Sequence, residues 1–224
     1  MGNRQDGNEP LRHLLAKIRA GLNTAVLGDI LDEMGHRRQF LPPQIQPLVP
    51  EMVLAGFAMP VHEIDTATPD KPFGLMFEAL DSLGQDEIYL AGGGSMTYAF
   101  WGEMMTTVAM NKDAAGVVLH GYIRDTLKIK AFGLPVFSCG SYAQDQRGRG
   151  RVIAYREPIK IGEALIRPGD IVVGDVDGVI CVPAAAAEEC VTRALGKMAT
   201  EAKVLDDLTK GLDSSAAFKK YGVM

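Results

Sequence analysis

Residues 92–125 constrain this chain more than any other stretch. Gly92-Gly93-Gly94-Ser95 leads into Trp101-Gly102-Glu103, and the segment closes on Gly121-Tyr122-Ile123-Arg124-Asp125. Asp86–Ala91, just before it, turns apolar and reads as a strand ending at the glycines. From Phe100 to Lys112 the apolar positions are Trp101, Met104, Met105, Val108 and Ala109, a helical spacing with one stripe. Gly116–His120 then reads as a buried strand.

The lengths of these pieces decide what meets what. A helix of about eleven residues rises roughly 16 Å from its start at about 1.5 Å per residue. A strand of about five residues covers roughly the same length on the way back. Residues just after the strand therefore return to the helix N-terminus, which brings Arg124 and Asp125 to Glu103. The first backbone N–H groups of a helix have no intrahelical partner and favour an anion. Two carboxylates, a guanidinium and a helix N-terminus together suit a hard metal ion plus a carboxylate ligand. An Arg-Asp pair at a strand end is also a common structural ion pair, so spacing alone leaves both uses open. The glycine run lacks the spaced pattern of a dinucleotide loop and is expected to let backbone approach a ligand or another chain.

Gly-Gly-Gly-Ser, Trp-Gly-Glu, Gly116-Val-Val-Leu-His-Gly-Tyr-Ile-Arg-Asp125 and Gly133-Leu134-Pro135-Val136-Phe137 together resemble the RraA-like family. That family holds metal-dependent pyruvate aldolases of 4-hydroxy-4-methyl-2-oxoglutarate and 4-carboxy-4-hydroxy-2-oxoadipate, oxaloacetate decarboxylases, and regulators of ribonuclease E. Its lyases resemble one another in an acidic residue, twenty intervening residues and Arg-Asp. Glu103, Arg124 and Asp125 keep that spacing. The resemblance runs from about Asn23 to Asp207. Two positions depart from it: the acidic residue is usually Asp and here is Glu103, and an acidic place three after the aspartate holds Lys128.

The resemblance implies a layered swivelling β/β/α fold, and the interleaved elements agree with a mixed α/β domain spanning 1–224. Residues 1–9 are polar and expected to fray. Leu11–Ala20 reads as a helix. Asn23 or Thr24 caps a second, with Val26, Leu27, Ile30, Leu31 and Met34 as its stripe and Gly35 as its stop. Leu41–Pro50 carries four prolines and must be extended or looped. Val53–His62 reads as a strand, bulged at Gly56, and Pro72–Leu83 as a helix. Thr126–Phe132 is a short helix, with strands at Pro135–Ser138 and Val152–Ile161. Gln144–Arg151 is a loop with Arg147, Arg149 and Arg151. Asp175 and Asp177 bracket the turn of a hairpin built from 169–175 and 178–183. Pro183 then opens a long helix, 184–208, about 37 Å long at 1.5 Å per residue. Its apolar stripe is expected to reach a neighbouring subunit.

A formal net charge of −5 argues against nucleic acid as the main partner. No apolar run is long enough to span a bilayer. The polar Met1–Asp6 lacks the apolar core of a signal peptide, so a cytoplasmic protein is expected. Cys139, Cys181 and Cys190 show no metal-ligand spacing and are expected as buried free thiols. His120 is expected to pack behind the site rather than act as a base.

The expected chemistry is a divalent-metal-dependent lyase that cleaves a C–C bond of a small 2-oxo diacid to release pyruvate, by retro-aldol cleavage or decarboxylation. The alternative is a regulator without chemistry that binds ribonuclease E or another protein. Arg124 and Glu103 are the expected catalytic residues, since only Arg offers a planar, permanently charged fork for a carboxylate or keto oxygen. Arg124, Gly102, Met104 and Met105 are expected to contact substrate. Asp125 and Glu103 are expected to hold Mg²⁺ or Mn²⁺. The resemblance adds Glu201, presented to the site of an adjacent subunit, in a homotrimer or homohexamer.

Overall fold

The computed structural model describes residues 8–67 and 71–222. In chain order the helices are α1 (Arg12–Arg19), α2 (Thr24–Glu33), α3 (Met76–Asp81), α4 (Glu103–Asn111), α5 (Thr126–Phe132), α6 (Ala187–Thr209) and α7 (Ser214–Tyr221). The strands are β1 (Gln46–Pro47), β2 (Leu54–Asp65), β3 (Glu87–Gly92), β4 (Ala99–Trp101), β5 (Gly116–Leu119), β6 (Tyr122–Ile123), β7 (Val136–Ser138), β8 (Gly150–Tyr155), β9 (Ile159–Ile161), β10 (Ala164–Ile166), β11 (Ile171–Asp175) and β12 (Gly178–Val182).

The long strand β2 organises the main sheet, whose order is β1-β7-β5-β3-β2-β11-β12. One edge of β2 carries β3 in parallel register, and the other carries β11 and then β8, both antiparallel. Side chains alternate between the two faces. Ala55 and Phe57 pack under α1, α2 and α6, while Met59 and Val61 belong to the core beside α3, α4 and α5. Leu54 and Ala58 point the other way, into a cluster with Ile88, Leu90, Val118, Phe137, Val172 and Cys181. One face of six strands thus lines a single core. Residues 39–47 nearly close the sheet around it, because Leu41 N–H bonds Val179 O at one outer edge and Gln46 pairs with Ser138 at the other. The result is a single mixed α/β domain with helices outside a curled sheet and a long C-terminal helix.

Most expected elements are present within a residue or two. Asn23 caps α2 by accepting from Val26 N–H at 2.9 Å, and α5 has the expected bounds. The hairpin of β11 and β12 pairs Asp175 with Gly178. Several expectations are corrected. The irregularity in β2 lies between His62 and Glu63, and Gly56 stays in register opposite Val172. The helix after Pro72 is only α3. The stretch Val152–Ile161 is two strands, broken where Arg156 turns to φ 58°. The crossover helix starts at Glu103, because Phe100 and Trp101 form β4 beside β6. Residues 1–7 of the expected frayed end lie outside the described residues, and Glu9–Leu11 forms a 3₁₀ turn. Gly93, at φ 107°, brings the glycine loop against β2, where a Cβ would lie 2.4 Å from Glu63 O. The close approach is therefore to the chain's own backbone. No helix among the described residues is long and apolar enough to cross a membrane.

Candidate active site

β3 and β5 are parallel neighbours, and α4 is the connection between them. The short pair β4–β6 extends past their C-terminal ends, the place where open α/β sheets put ligands. Arg124 N–H bonds Trp101 O at 2.9 Å, which sets the end of β6 against the start of α4. Asp125 turns to φ 60° there, and its Oδ2 accepts the Glu103 N–H at 3.1 Å. Gly102 leaves room for this contact, since a Cβ on it would stand 2.8 Å from Asp125 Oδ2. Trp101, fully buried, donates its indole N–H to Thr106 Oγ1 at 2.7 Å, and that hydroxyl donates to Gly102 O at 3.1 Å. The first turn of α4 is thereby fixed from inside. The N–H groups of Met104 and Met105 lie in this turn without an intrahelical acceptor.

The cavity at this point has a volume of about 150 Å³. Gly102, Glu103, Met104, Met105, Arg124 and Asp125 line it, so the structure brings together six of the seven expected residues. Phe73, Phe77, Asp145 and Gln146 are among the other residues of its wall. Arg124 is held between two carboxylates, with Nη1 3.4 Å from Asp145 Oδ1 and Nε 4.0 Å from Asp125 Oδ2. Lys128 Nζ lies 3.9 Å from Glu103 Oε1. Met104 is 77% exposed at the rim, so it lies outside the buried stripe expected for it. Glu201 lies elsewhere, in a groove with Val26, Met198 and Leu205, and pairs with Lys197 at 3.8 Å.

Among the described residues no group of three or more His, Cys, Asp or Glu forms a ready metal cage. Glu103 and Asp125 both line the cavity, and one or two carboxylates suffice for Mg²⁺, which keeps several waters. Asp125 has an oxygen, Oδ1, without a protein partner among the described residues. The donor chemistry therefore fits a hydrated hard cation.

Behind the wall lies a group that sequence reasoning missed. Glu63 is 1% exposed, and both of its carboxyl oxygens accept from Gln146 Nε2, at 2.8 and 2.7 Å. Burial is the main cause that pushes its pKa up to about 8, with Asp65 adding to it and the Gln146 hydrogen bond opposing. Nothing local marks Glu63 in the sequence, since a single carboxylate in an apolar strand reads as an outward-facing residue. Burial also raises the thiols of Cys139, Cys181 and Cys190, and no disulfide joins them. His120 is half-buried, and burial lowers its pKa.

The Glu63 shift fixes a sign for stability against pH. A carboxyl whose folded pKa exceeds its unfolded one favours folding most below the unfolded value and loses that advantage up to the folded value. Wild type should therefore lose stability relative to Glu63→Gln as pH rises from about 4.5 to about 8. The full difference is up to roughly 5 kcal/mol at 1.36 kcal/mol per unit. Urea unfolding of both proteins at several pH values measures it, and a flat difference would show that Glu63 is not protonated in the fold.

Comparison with known proteins agrees with this architecture. The RraA-like family (Aldolase/RraA) matches residues 24–181. A protein of Halalkalibacterium halodurans named "Putative 4-hydroxy-4-methyl-2-oxoglutarate aldolase" is 31% identical over 182 residues, covering 80% of each chain. Protein DlpA of Legionella pneumophila is 27% identical over 202 residues, or 89% of this chain. The chain spans only 32% of the length of that relative. The crystal structure of an uncharacterized protein from Pseudomonas syringae pv. tomato superposes with a TM-score of 0.84 at 27% identity, over 94% of each chain. With the family match covering most of its length and the fold shared throughout, the chain belongs to the RraA-like family.

Proposed function

We propose that this chain is a divalent-metal-dependent lyase that cleaves a C–C bond of a 2-oxo diacid to give pyruvate, by retro-aldol cleavage of a 4-hydroxy-4-methyl-2-oxoglutarate-type acid or by decarboxylation of oxaloacetate. The observation that carries this reading is the meeting of Arg124, Asp125 and Glu103 at the N-terminus of α4 in one small cavity. Drug-sized ligands occupy pockets of about 300–1,000 Å³. A cavity of about 150 Å³ suits a compact acid instead. The relative named as an aldolase supports the same class.

Each residue has a part that follows from its position. Arg124, set by Asp145, offers paired N–H donors to the carboxylate or keto oxygen of the substrate. The free N–H groups of Met104 and Met105 add dipolar attraction for the anion. Asp125 and Glu103 would hold Mg²⁺ or Mn²⁺, which when bound supplies a Lewis acid for charge developing on the keto oxygen. Phe73, Phe77 and Met105 give the cavity an apolar wall, which limits water and strengthens the charged contacts. Glu201, away from the cavity of its own chain, would act from a second copy of the chain. Leu195 and Leu205 are exposed on α6, Leu205 at 66%, and support such assembly.

A second reading, a protein-binding regulator without chemistry, is favoured by Lys128 beside Glu103. Exposed Met104 and Leu127 at the starts of α4 and α5 point the same way. Pyruvate release from oxaloacetate and from 4-hydroxy-4-methyl-2-oxoglutarate, with Mg²⁺ and with EDTA, separates the two readings. Metal-dependent release supports the lyase, and none from either acid defeats it.

Arg124→Lys should lower kcat/KM by about 10²-fold or more, about 3 kcal/mol, because the charge stays but the fork is lost. Metal binding should survive this change, and undiminished activity would remove Arg124 from the mechanism. Asp125→Asn should abolish Mg²⁺ binding in calorimetry while the fold persists, since a neutral amide lacks the charge that a hard cation needs. Light scattering should give a trimer or a multiple of it, and a stable monomer near 24.1 kDa would defeat the assembly.

A further inference from the structure

Glu63 is a carboxyl that the proposed chemistry does not touch, yet it is buried against the wall of the cavity. Burying such a group costs free energy, and replacing it by an uncharged side chain of similar size is commonly neutral or stabilising. Stability therefore gives no reason for it to be there. Its surroundings suggest another. Asp65 on β2, Tyr89 on β3, Tyr98 ahead of β4 and Gln146 on the 144–149 loop are the polar or titratable groups that act on it or respond to it. Gln146 is its hydrogen-bond donor, itself only 3% exposed.

Gln146 is also the anchor of its loop. Its backbone carbonyl accepts from Arg149 N–H at 2.8 Å and Gly150 N–H at 3.0 Å, closing the turn before β8. The residue before it, Asp145, bridges to Ala99 of β4 and holds Arg124 Nη1 at 3.4 Å. The line of contact runs from the inner strand β2 through one side-chain amide to the guanidinium. The Arg147 N–H also donates to Asp145 Oδ1 at 3.3 Å, while the Arg149 side chain bonds the loop's own carbonyls at Asp145 and Arg147.

We infer that Glu63 is a positioning residue: through Gln146 it fixes the 144–149 loop, and through Asp145 on that loop it fixes Arg124. The kinetic part of this inference rests on the lyase reading, and the structural part does not. Burial holds the carboxyl's pKa up at about 8, so the protonated form predominates at pH 7. Ionising it places a charge among Asp65, Tyr89 and Tyr98 with no cation in an ion pair with it among the described residues. The Gln146 amide favours the ionised form, but the cost of burying the charge outweighs that bond, so ionisation favours opening toward water, which would loosen the loop and misplace Arg124. Activity should therefore decline on the alkaline side.

The test compares wild type, Glu63→Gln, Glu63→Ala and Gln146→Ala. Hydrogen exchange of the peptide covering 144–149 needs no substrate. At pH 7 it should speed up about tenfold or more in Glu63→Ala and Gln146→Ala, with the rest of the chain unchanged, and stay near wild type in Glu63→Gln. Unchanged exchange in this peptide in Gln146→Ala, or acceleration throughout the chain, would overturn the inference. Gln146→Ala decides alone where Glu63→Ala fails to fold.

Kinetics with oxaloacetate and saturating Mg²⁺ between pH 6 and 9.5 give the second readout. Wild type should lose kcat/KM with an ionisation near 8, whereas Glu63→Gln should retain most of its pH 7 activity and lack that decline. An identical alkaline decline in Glu63→Gln would overturn the link to Arg124. Absence of turnover in wild type defeats the lyase reading instead, and the exchange result still decides whether Glu63 positions the loop.

Discussion

The contact between Asp125 Oδ2 and the Glu103 N–H is the joint on which the site depends. It ties the start of α4 to the residue that precedes α5, so the two ends of a crossover meet at one point. A carboxylate at a helix N-terminus is worth roughly 0.3–1 kcal/mol at the surface, so the joint is not a large source of stability. Its importance is geometric. Asp125 has a left-handed backbone conformation that, beyond glycine, mainly asparagine and aspartate adopt, and Gly102 has no side chain to intrude on its carboxylate. A Cβ at 102 would displace the acid, and the acid would take Arg124 with it.

The rest of the molecule supplies rigidity to that joint. The parallel strands β3 and β5 sit side by side because β2 and β7 flank them in the sheet. Trp101 packs its ring tilted at 51° against Tyr89, 4.9 Å between centroids, and its indole N–H, the side chain's single donor, bonds Thr106. A helix start braced from the core in this way leaves its free N–H groups aimed at a fixed place. Preorganised dipoles of this kind do not reorganise when charge develops, and that makes them effective toward an anion.

Much of this was legible in the sequence because the signals are local or arithmetic. Helix rise against strand rise is enough to bring Arg124 and Asp125 back to Glu103. Asn23 as a cap and the Asp175–Gly178 turn are short-range chemistry that tertiary contacts did not override. The misses have the opposite character. Phe100 and Trp101 read as helix by spacing, but pairing of Ala99 with Tyr122 and of Trp101 with Ile123, some twenty residues away, made this segment a strand. Arg156 broke an apolar run that period alone could not divide. Asp145, Gln146 and Glu63 join the site from a loop and a strand far apart in sequence, and no spacing rule links them. The loop drew attention for its arginines, whereas its acid and amide face the cavity.

Charge balance carries the chemistry one step further. Glu103, Asp125 and Asp145 stand against Arg124 and Lys128, which leaves the site one negative charge at neutral pH. A 2-oxo diacid brings two more. Like charges about 4 Å apart repel by about 4 kcal/mol at a surface-type dielectric, so such a substrate would meet net repulsion from the side chains alone. On the lyase reading, a divalent cation held by Asp125 and Glu103 would reverse the sign of the site before the substrate arrives. Lys128 is part of the same balance. Its ammonium, 3.9 Å from Glu103 Oε1, would weaken the hold on such a cation and strengthen the hold on an anion. Lys128 would in this way share the substrate's charge with the metal, and it leaves the contact between Asp125 and the Glu103 N–H untouched.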